Sequence, residues 1–188
     1  MIPAVLETPR LELIIPDPEL ALSWRAYVTR NREHFRASMP SPPADYFTED
    51  YWKTRLQKAQ DDAEAGTAFT FALMVQPEGD FIGDCTFDKI IRGPLQSCFL
   101  GYKLDQDFEG HGFMQEALER AIRFMFEEQK LHRIQAAYRP KNERSGRLLT
   151  RLGFTVEGHA KDYLFLDGAW RDHVLTAKLN PDYRFDQS

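Results

Sequence analysis

A glycine-punctuated segment from Gly101 to Met114 is the part of this 188-residue chain best suited to hold a phosphate group. It reads as a strand, then a loop containing Gly110 and Gly112, then the start of a long amphipathic helix. Glycine allows positive φ and a close backbone approach, and a helix opens with unpaired N–H groups at the positive end of its dipole. The segment predicts a phosphate-bearing cofactor, although by itself it would also fit a plain strand-to-helix turn.

Two common phosphate-binding motifs are absent from the sequence. The nucleotide hydrolase loop, G-x-x-x-x-G-K-[ST], does not occur. The dinucleotide motif G-x-G-x-x-G fails because Gln115 stands where its third glycine would fall, and because the loop follows a predicted meander. The cofactor is therefore expected to be of another class.

The elements that would position this loop are of mixed type. Hydrophobic periodicity and turn residues predict strands at 11–15, 68–76, 81–91, 96–104, 133–138, 155–166 and 171–179, and helices at 19–29, 48–65, 113–130 and from Asn142 or Ser145 to Leu152. Three strands form an antiparallel meander, a helix crosses to a parallel strand, and Asp167-Gly168 turns a final hairpin. The order predicts one α+β domain over residues 1–188. The irregular, aromatic-rich stretch 30–47 is expected to wall the acceptor side of a pocket.

Composition narrows the class of protein further. The net charge of −5 supplies no broad basic face, so direct nucleic-acid binding is not expected. Cys85 and Cys98 fall in predicted strands and are expected to be buried. The five histidines show no metal-ligand spacing, so no metal is expected. No apolar run is long enough to span a membrane and no signal peptide is visible, which predicts a cytoplasmic protein.

A second motif lies one helix and one strand downstream of the loop, with the pattern N-x-x-S-x-x-L-L-x-x-L-G-F starting at Asn142. Together with E-G-H-G-F-M-Q-E-A-L, it resembles the acetyl-CoA-binding core of the GNAT superfamily of N-acetyltransferases. The superfamily's loop, [Q/R]-x-x-G-x-[G/A], falls on Glu109 to Met114. Matching strings such as Ala160–Leu164 and Trp170–Ala177 extend the resemblance over nearly the whole chain, and are similar to the superfamily's ribosomal-protein-alanine N-acetyltransferases.

The resemblance implies a GNAT (acyl-CoA N-acyltransferase) fold, a mixed, mostly antiparallel twisted sheet with helices on both faces. It implies acetyl-CoA as cosubstrate and, as acceptor, the N-terminal α-amine of a protein, expected to be a ribosomal protein that begins with alanine. The acetyl group would pass directly to the amine in a ternary complex. The resemblance also implies the site residues. The backbone of Tyr102 to Leu104 and the side chain of Asn142 would hold the pantetheine arm, and Ser145 would donate a proton to the departing thiolate. The pyrophosphate would be bound by the N–H groups of Gly110, His111, Gly112, Phe113 and Met114.

Three departures from the superfamily's pattern bear on the chemistry. Glu109 replaces the usual glutamine or arginine, so its side chain is expected to face solvent and leave the binding to backbone donors. Leu149 occupies the place of a tyrosine that protonates the thiolate in many members, which leaves Ser145 as the best hydroxyl. Ala137 occupies the place of a glutamate base, so the base is unassigned, with Asp162 and Glu157 as the candidates.

Several alternatives remain open from sequence. Ser145 could simply cap a helix. Lys141, Arg144 and Arg147 could be a solvated helix face or could contact the 3′-phosphate of CoA. The chain could acetylate a small-molecule amine or a lysine, or could be a non-catalytic module that binds acyl-CoA or a ribosome. Its oligomeric state is not encoded in any readable pattern.

Overall fold

The computed structural model of the chain describes residues 5–36 and 38–184. Eight strands form one sheet in the order β1-β2-β3-β4-β5-β6-β8-β7. Their bounds are β1 Leu6–Glu7, β2 Leu11–Ile14, β3 Phe69–Val75, β4 Asp80–Ile91, β5 Ser97–Leu104, β6 Arg133–Tyr138, β7 Thr155–Leu166 and β8 Ala169–Leu179. Within this part of the chain, β5 and β6 are the parallel pair and the other neighbours are antiparallel. The predicted α+β, mostly antiparallel sheet is confirmed.

Helices cover both faces of this sheet. Their bounds are α1 Ala21–Arg30, α2 Arg32–Arg36, α3 Glu49–Glu64, α4 Phe113–Glu127 and α5 Glu143–Arg151, with 3₁₀ turns at Pro18–Leu20 and Gln106–Phe108. The apolar stripes of α4 and α5 are buried in one cluster with the inward side chains of the sheet. Aromatic residues of α1 and α3 form a second cluster on the opposite face. This division separates two environments on either side of the sheet.

Short-range sequence signals explain most element boundaries. Thr48 accepts a hydrogen bond from the Tyr51 N–H and caps α3, and Gly66 follows that helix with a φ of 67°. Asp167 and Gly168 both have positive φ, as a two-residue hairpin turn between β7 and β8 requires. Asn142 caps α5. The predicted Asp167-Gly168 turn is therefore confirmed, as is the burial of both cysteines.

Three features differ from the sequence-based expectation. The stretch 30–47 contains the short helix α2, whose Phe35 is buried against the aromatic cluster. Helix α4 ends at Glu127 rather than at residue 130, where Lys130 adopts a φ of 53° that a helix cannot continue through. Strand β1 is two residues long and pairs only with β2, so it leaves too little periodicity to be predicted.

The parallel strands β5 and β6 separate toward their carboxyl ends. Pairing runs from Ser97 opposite Arg133 to Leu100 opposite Ala136, whereas β5 continues to Leu104 and β6 to Tyr138. The last residues of β5 keep their hydrogen bonds to β4 on the other side. The edge of β5 that faces β6 is thus unpaired over Gly101 to Leu104, and we call this separation of the two strands the splay.

None of the helices in residues 5–36 and 38–184 is long and apolar enough to cross a membrane.

Candidate active site

The phosphate-binding loop predicted from sequence connects β5 to α4. Gly110 and Gly112 have φ values of 81° and 82°, and Gly112 is the residue immediately before α4. Positive φ at both positions is accessible to glycine at little cost. The Gly112 carbonyl accepts the first intrahelical bond, from the Glu116 N–H at 3.1 Å. Phe113 and Met114 therefore lie in the first turn of a 15-residue helix, where free N–H groups and the helix dipole favour an anion.

A clamp from the N-terminal strands holds this loop. The Glu116 carboxylate accepts hydrogen bonds from the Thr8 hydroxyl at 2.7 Å, the Arg10 N–H at 2.9 Å and the Arg10 Nε at 2.7 Å. Arg10 also donates to the His111 carbonyl at 3.0 Å and lies over the Phe113 ring at 4.4 Å. Because the His111 carbonyl is occupied by Arg10, the loop is fixed with one carbonyl turned toward the N-terminal strands.

Burial by itself would raise the pKa of Glu116, but the hydrogen bonds from Thr8 and Arg10 outweigh it and hold that pKa below the usual value. The clamp is therefore ionised at neutral pH. Sequence reasoning missed it, because it joins residues more than a hundred positions apart. The string Thr8-Pro9-Arg10-Leu11 gives no local signal of its partner on α4.

At the start of α5, Asn142 and Ser145 have separate functions. The Asn142 carboxamide oxygen accepts the Ser145 N–H at 3.1 Å and caps the helix. The Ser145 hydroxyl is not the cap. It lies 2.5 Å from the Tyr102 hydroxyl of β5, within hydrogen-bond distance. The alternative in which Ser145 only starts the helix is therefore wrong, and its side chain faces the splay between β5 and β6.

Tyr102 contributes a side chain to this site as well as its backbone. Burial raises the pKa of Tyr102 to about 12, opposed by the Ser145 hydrogen bond and the nearby Arg144 charge. Tyr138, at the end of β6, packs against Gly146, where an added Cβ would fall 2.9 Å from its ring. The small residue lets α5 approach β6 closely, so that two phenols flank the first turn of α5.

Glu109 does not face solvent, contrary to the expectation from sequence. Its carboxylate pairs with Arg144 of α5 and lies 2.9 Å from His34 Nε2 of α2, and its side chain is only 19% exposed. Burial and the Arg144 charge both lower the pKa of His34. Through this pair Arg144 spans from α5 to the glycine loop, while a contact with the 3′-phosphate of CoA stays a prediction. Arg147 instead pairs with Glu143 on the outer surface of the helix.

The structure brings some predicted residues to the splay and keeps others away. Leu104 ends β5 at its unpaired edge, and Leu149 is 1% exposed in the core, where it has no proton to give. Ala137 lies on β6 beyond its last pairing with β5. Glu157 forms an ion pair with Arg133, at the opposite end of β6 from the splay. Its candidacy as the base is therefore not supported by its position.

The opposite face, toward α1, α2 and α3, has a different chemistry. Asp84 of β4 and Lys103 of β5 form a largely buried ion pair at 3.4 Å, with side chains 6% and 23% exposed, and Lys103 lies 5.9 Å from the centre of the Phe35 ring. Burial raises the pKa of Asp84, and the Lys103 ammonium opposes that rise. A neighbouring cavity of about 240 Å³ is lined by residues that include Phe35, Tyr46 and Asp167. The stretch 30–47 thus forms part of a pocket wall, as expected from its aromatic content.

In the described residues, no cluster of three or more histidine, cysteine, aspartate or glutamate side chains is arranged to hold a metal ion. What the arrangement offers is a glycine loop at a helix N-terminus, an unpaired strand edge and a serine hydroxyl bonded to a phenol. These groups suit a phosphate-bearing, extended cofactor whose reactive end reaches α5.

The acetyltransferase (GNAT) domain model matches residues 10–155, more than three quarters of the chain. The chain therefore belongs to the GNAT acetyltransferase family, the class that the splayed sheet and glycine loop define. Members of this class are acetyl-CoA-dependent N-acetyltransferases. The match ends at the first residue of β7, so the final hairpin lies outside it.

Individual relatives are similar over most of their length. The chain is 44% identical over 163 residues to the "[Ribosomal protein uS5]-alanine N-acetyltransferase" of Escherichia coli, covering 86% of this chain and 84% of that protein. The crystal structure of a ribosomal-protein-S5-alanine acetyltransferase from Vibrio fischeri superposes with a TM-score of 0.93 at 36% identity, covering 97% and 100% of the two chains. RimJ of Mycobacterium smegmatis, solved with CoA-disulfide, superposes with a TM-score of 0.84 at 29% identity, covering 90% and 81%.

Proposed function

We propose that this protein transfers the acetyl group of acetyl-CoA to the N-terminal α-amine of a ribosomal protein that begins with alanine. The observation that carries the proposal is the 44% identity to the E. coli uS5-alanine enzyme over 86% of the chain. The fold agrees with it, since the V. fischeri structure covers 97% of this chain at a TM-score of 0.93. The proposed acceptor implies a cytoplasmic enzyme.

In this proposal the cofactor lies across the splay. The unpaired backbone of Tyr102 to Leu104 pairs with the pantetheine arm, and the amide of Asn142 contacts the same arm from α5. The N–H groups of Gly110, His111, Gly112, Phe113 and Met114 hold the pyrophosphate, supported by the positive φ of both glycines. Ser145, whose hydroxyl faces the splay, protonates the departing thiolate.

The reaction is direct attack of the amine on the acetyl carbonyl carbon. The C–N bond forms, the C–S bond breaks, and the sulfur leaves with its electron pair. Backbone N–H groups of β5 polarise the carbonyl. An α-amine with a pKa near 8 costs about 1.4 kcal/mol to deprotonate at pH 7, against about 4.6 kcal/mol for lysine. The absence of a glutamate at Ala137 therefore matters less for an N-terminal acceptor, because water can accept its proton.

A peptide panel tests this proposal. Peptides that begin with alanine, the same peptides with a blocked N-terminus and one internal lysine, and free polyamines and amino acids are assayed for release of the CoA thiol. We expect turnover on the alanine peptides alone, with Ser145→Ala reducing kcat about 100-fold. Turnover confined to free amines or lysine would contradict the acceptor, and tight acetyl-CoA binding without turnover on any amine would indicate a non-catalytic module.

A further inference from the structure

We propose that Tyr102 is a positioning residue for the thiolate-protonating step, donating its hydroxyl proton to Ser145 as Ser145 protonates the sulfur. The inference rests on the proposed function. Its main observation is the 2.5 Å separation of the Tyr102 and Ser145 hydroxyl oxygens across the start of α5. Neither sequence motif requires this contact, because Tyr102 lies on β5 and Ser145 on α5, 43 positions apart.

The Tyr102 side chain supplies a phenol that α5 itself lacks. The family's tyrosine position is Leu149, which is buried in the core at 1% exposure. Cys98 and Leu100 lie four and two positions before Tyr102 on β5, so they share its face of the sheet. Both belong to the core on the α4 and α5 face. Alternation along the strand therefore directs Tyr102 toward α5. A phenol is present at the site, delivered by the strand instead of the helix.

The second reason lies in the chemistry of serine. A serine hydroxyl is a weak acid, so a serine that gives its proton to a thiolate needs that proton replaced at once. A phenol is considerably more acidic, and hydrogen bonds in a chain polarise one another. The Ser145 hydroxyl can accept one proton from Tyr102 while it donates its own toward the sulfur.

The proton count closes over one turnover. The attacking amine becomes an amide and loses one proton to water. The sulfur takes a proton from Ser145, Ser145 takes one from Tyr102, and the phenolate of Tyr102 recovers one from water. The net change is amine plus acetyl-CoA to amide plus CoA thiol, with no oxidant, reductant or further reactant.

Charged groups on the neighbouring elements favour this transfer. Arg144, the residue before Ser145, stabilises a phenolate at Tyr102 and is itself held by Glu109. Tyr138 of β6 acts in the opposite direction, because it raises the pKa of Tyr102. His34 of α2 contacts the Glu109 carboxylate that also holds Arg144. Burial dominates, so that the phenol keeps its proton throughout the range in which the enzyme would work and is available as a donor.

The test compares Tyr102→Phe with Tyr138→Phe, a matched control that removes a phenol hydroxyl beside the same helix turn. We expect kcat on an alanine peptide to fall about tenfold or more in Tyr102→Phe and to stay within about twofold in Tyr138→Phe. In the Ser145→Ala background, Tyr102→Phe should add little, since the relay is already broken. Full kcat in Tyr102→Phe across pH, or an additive loss in the double variant, would overturn the relay.

Two further measurements exclude a merely structural role. A ring-fluorinated tyrosine at position 102 has a more acidic phenol, which loses its proton at a lower pH. We expect kcat of this variant to fall at alkaline pH values where the parent protein is still active. In the complex with CoA, the pKa of the bound thiol, followed by ultraviolet thiolate absorption, should be higher in Tyr102→Phe than in the parent protein. This second readout needs no acceptor, so it tests the relay even if the acceptor is misassigned. An unchanged thiol pKa or an unchanged alkaline profile would overturn it.

Discussion

The face of the sheet that carries α4 and α5 differs from the face that carries α1 to α3 in how its polar groups are satisfied. On the α4 and α5 face, polar side chains form short, directional contacts at the starts of the two helices, Arg10 with Glu116 and Tyr102 with Ser145. On the other face, aromatic rings pack beside ion pairs with buried carboxylates, such as Asp84 with Lys103. In the proposed function the first arrangement positions the cofactor, and the second forms part of a pocket wall.

This difference predicts that the two faces respond differently to mutation. Substitutions on the α4 and α5 face should change CoA binding or kcat with modest effects on folding. Substitutions at the Asp84–Lys103 ion pair on the α1 to α3 face should change folding first. Four variants separate these outcomes, in decreasing order of expected effect.

Removing the cation of the buried pair should have the largest effect. Lys103→Met leaves the Asp84 charge uncompensated, and we expect it to lower the free energy of unfolding at pH 7 by about 3 kcal/mol. Because the folded-state pKa of Asp84 is already raised, the variant can protonate this group as the pH falls. The deficit should therefore be smaller at pH 5 than at pH 7, as measured by urea unfolding.

The control for this variant is Lys58→Met, which breaks an exposed pair with Asp62 on α3. We expect a loss below about 1 kcal/mol with no dependence on pH over this range. Equal losses of unfolding free energy in Lys103→Met and Lys58→Met would contradict this description of the α1 to α3 face. A Lys103→Met deficit that grows toward pH 5 would contradict it as well.

Substituting Gly112, the glycine before α4, should have the next largest effect, and this effect is on CoA binding. Gly112→Ala places a side chain at a φ of 82°, which costs about 1–2 kcal/mol, so we expect the Kd for CoA to rise about tenfold as the loop relaxes. Gly168→Ala imposes comparable strain at the hairpin turn, with a φ of 72°. Isothermal titration of both variants should show weaker binding in the first alone.

Neutralising the clamp should have a smaller effect. Glu116→Gln weakens the charged hydrogen bonds to Thr8 and Arg10, and we expect about 1 kcal/mol of destabilisation and a Kd for CoA raised a fewfold. Since the pKa of Glu116 is lowered by folding, its contribution is complete at neutral pH and is lost only as acid protonates it. The control is Glu119→Gln, which lies three positions further along α4, about one turn from the clamp. A parent Kd that varies between pH 6 and 8 through this group would contradict the clamp.

The smallest effect is expected at Glu109. Glu109→Gln restores a residue that is usual for the family and removes a negative charge beside the loop. Its partner Arg144 is 56% exposed, so the lost pair should cost less than about 1 kcal/mol. We expect CoA to bind up to about threefold more tightly, with the gain shrinking as salt is raised. Weaker binding would show instead that Glu109 serves the site by holding Arg144 in place.

The same contrast between faces governs what could be predicted from sequence. The loop glycines and the Asp167-Gly168 turn follow from local spacing and were predicted, and the start of α5 was narrowed to Asn142 or Ser145. The clamp, the Tyr102 contact and the Glu109 pairing join distant positions, and no local pattern indicates them. Helix α2 was missed because its five residues pack only in the tertiary context of the aromatic cluster. The prediction that Glu109 faces solvent was wrong because it did not take into account Arg144 of α5, which pairs with the Glu109 carboxylate.

The most direct test of the proposed function is mass spectrometry of intact ribosomal proteins from cells that contain this chain, cells that lack it, and cells that carry Ser145→Ala. We predict that one ribosomal protein beginning with alanine is acetylated at its N-terminus only when the active chain is present. It should be largely unmodified in both other strains. Identical N-terminal acetylation of every ribosomal protein in all three strains would contradict the account.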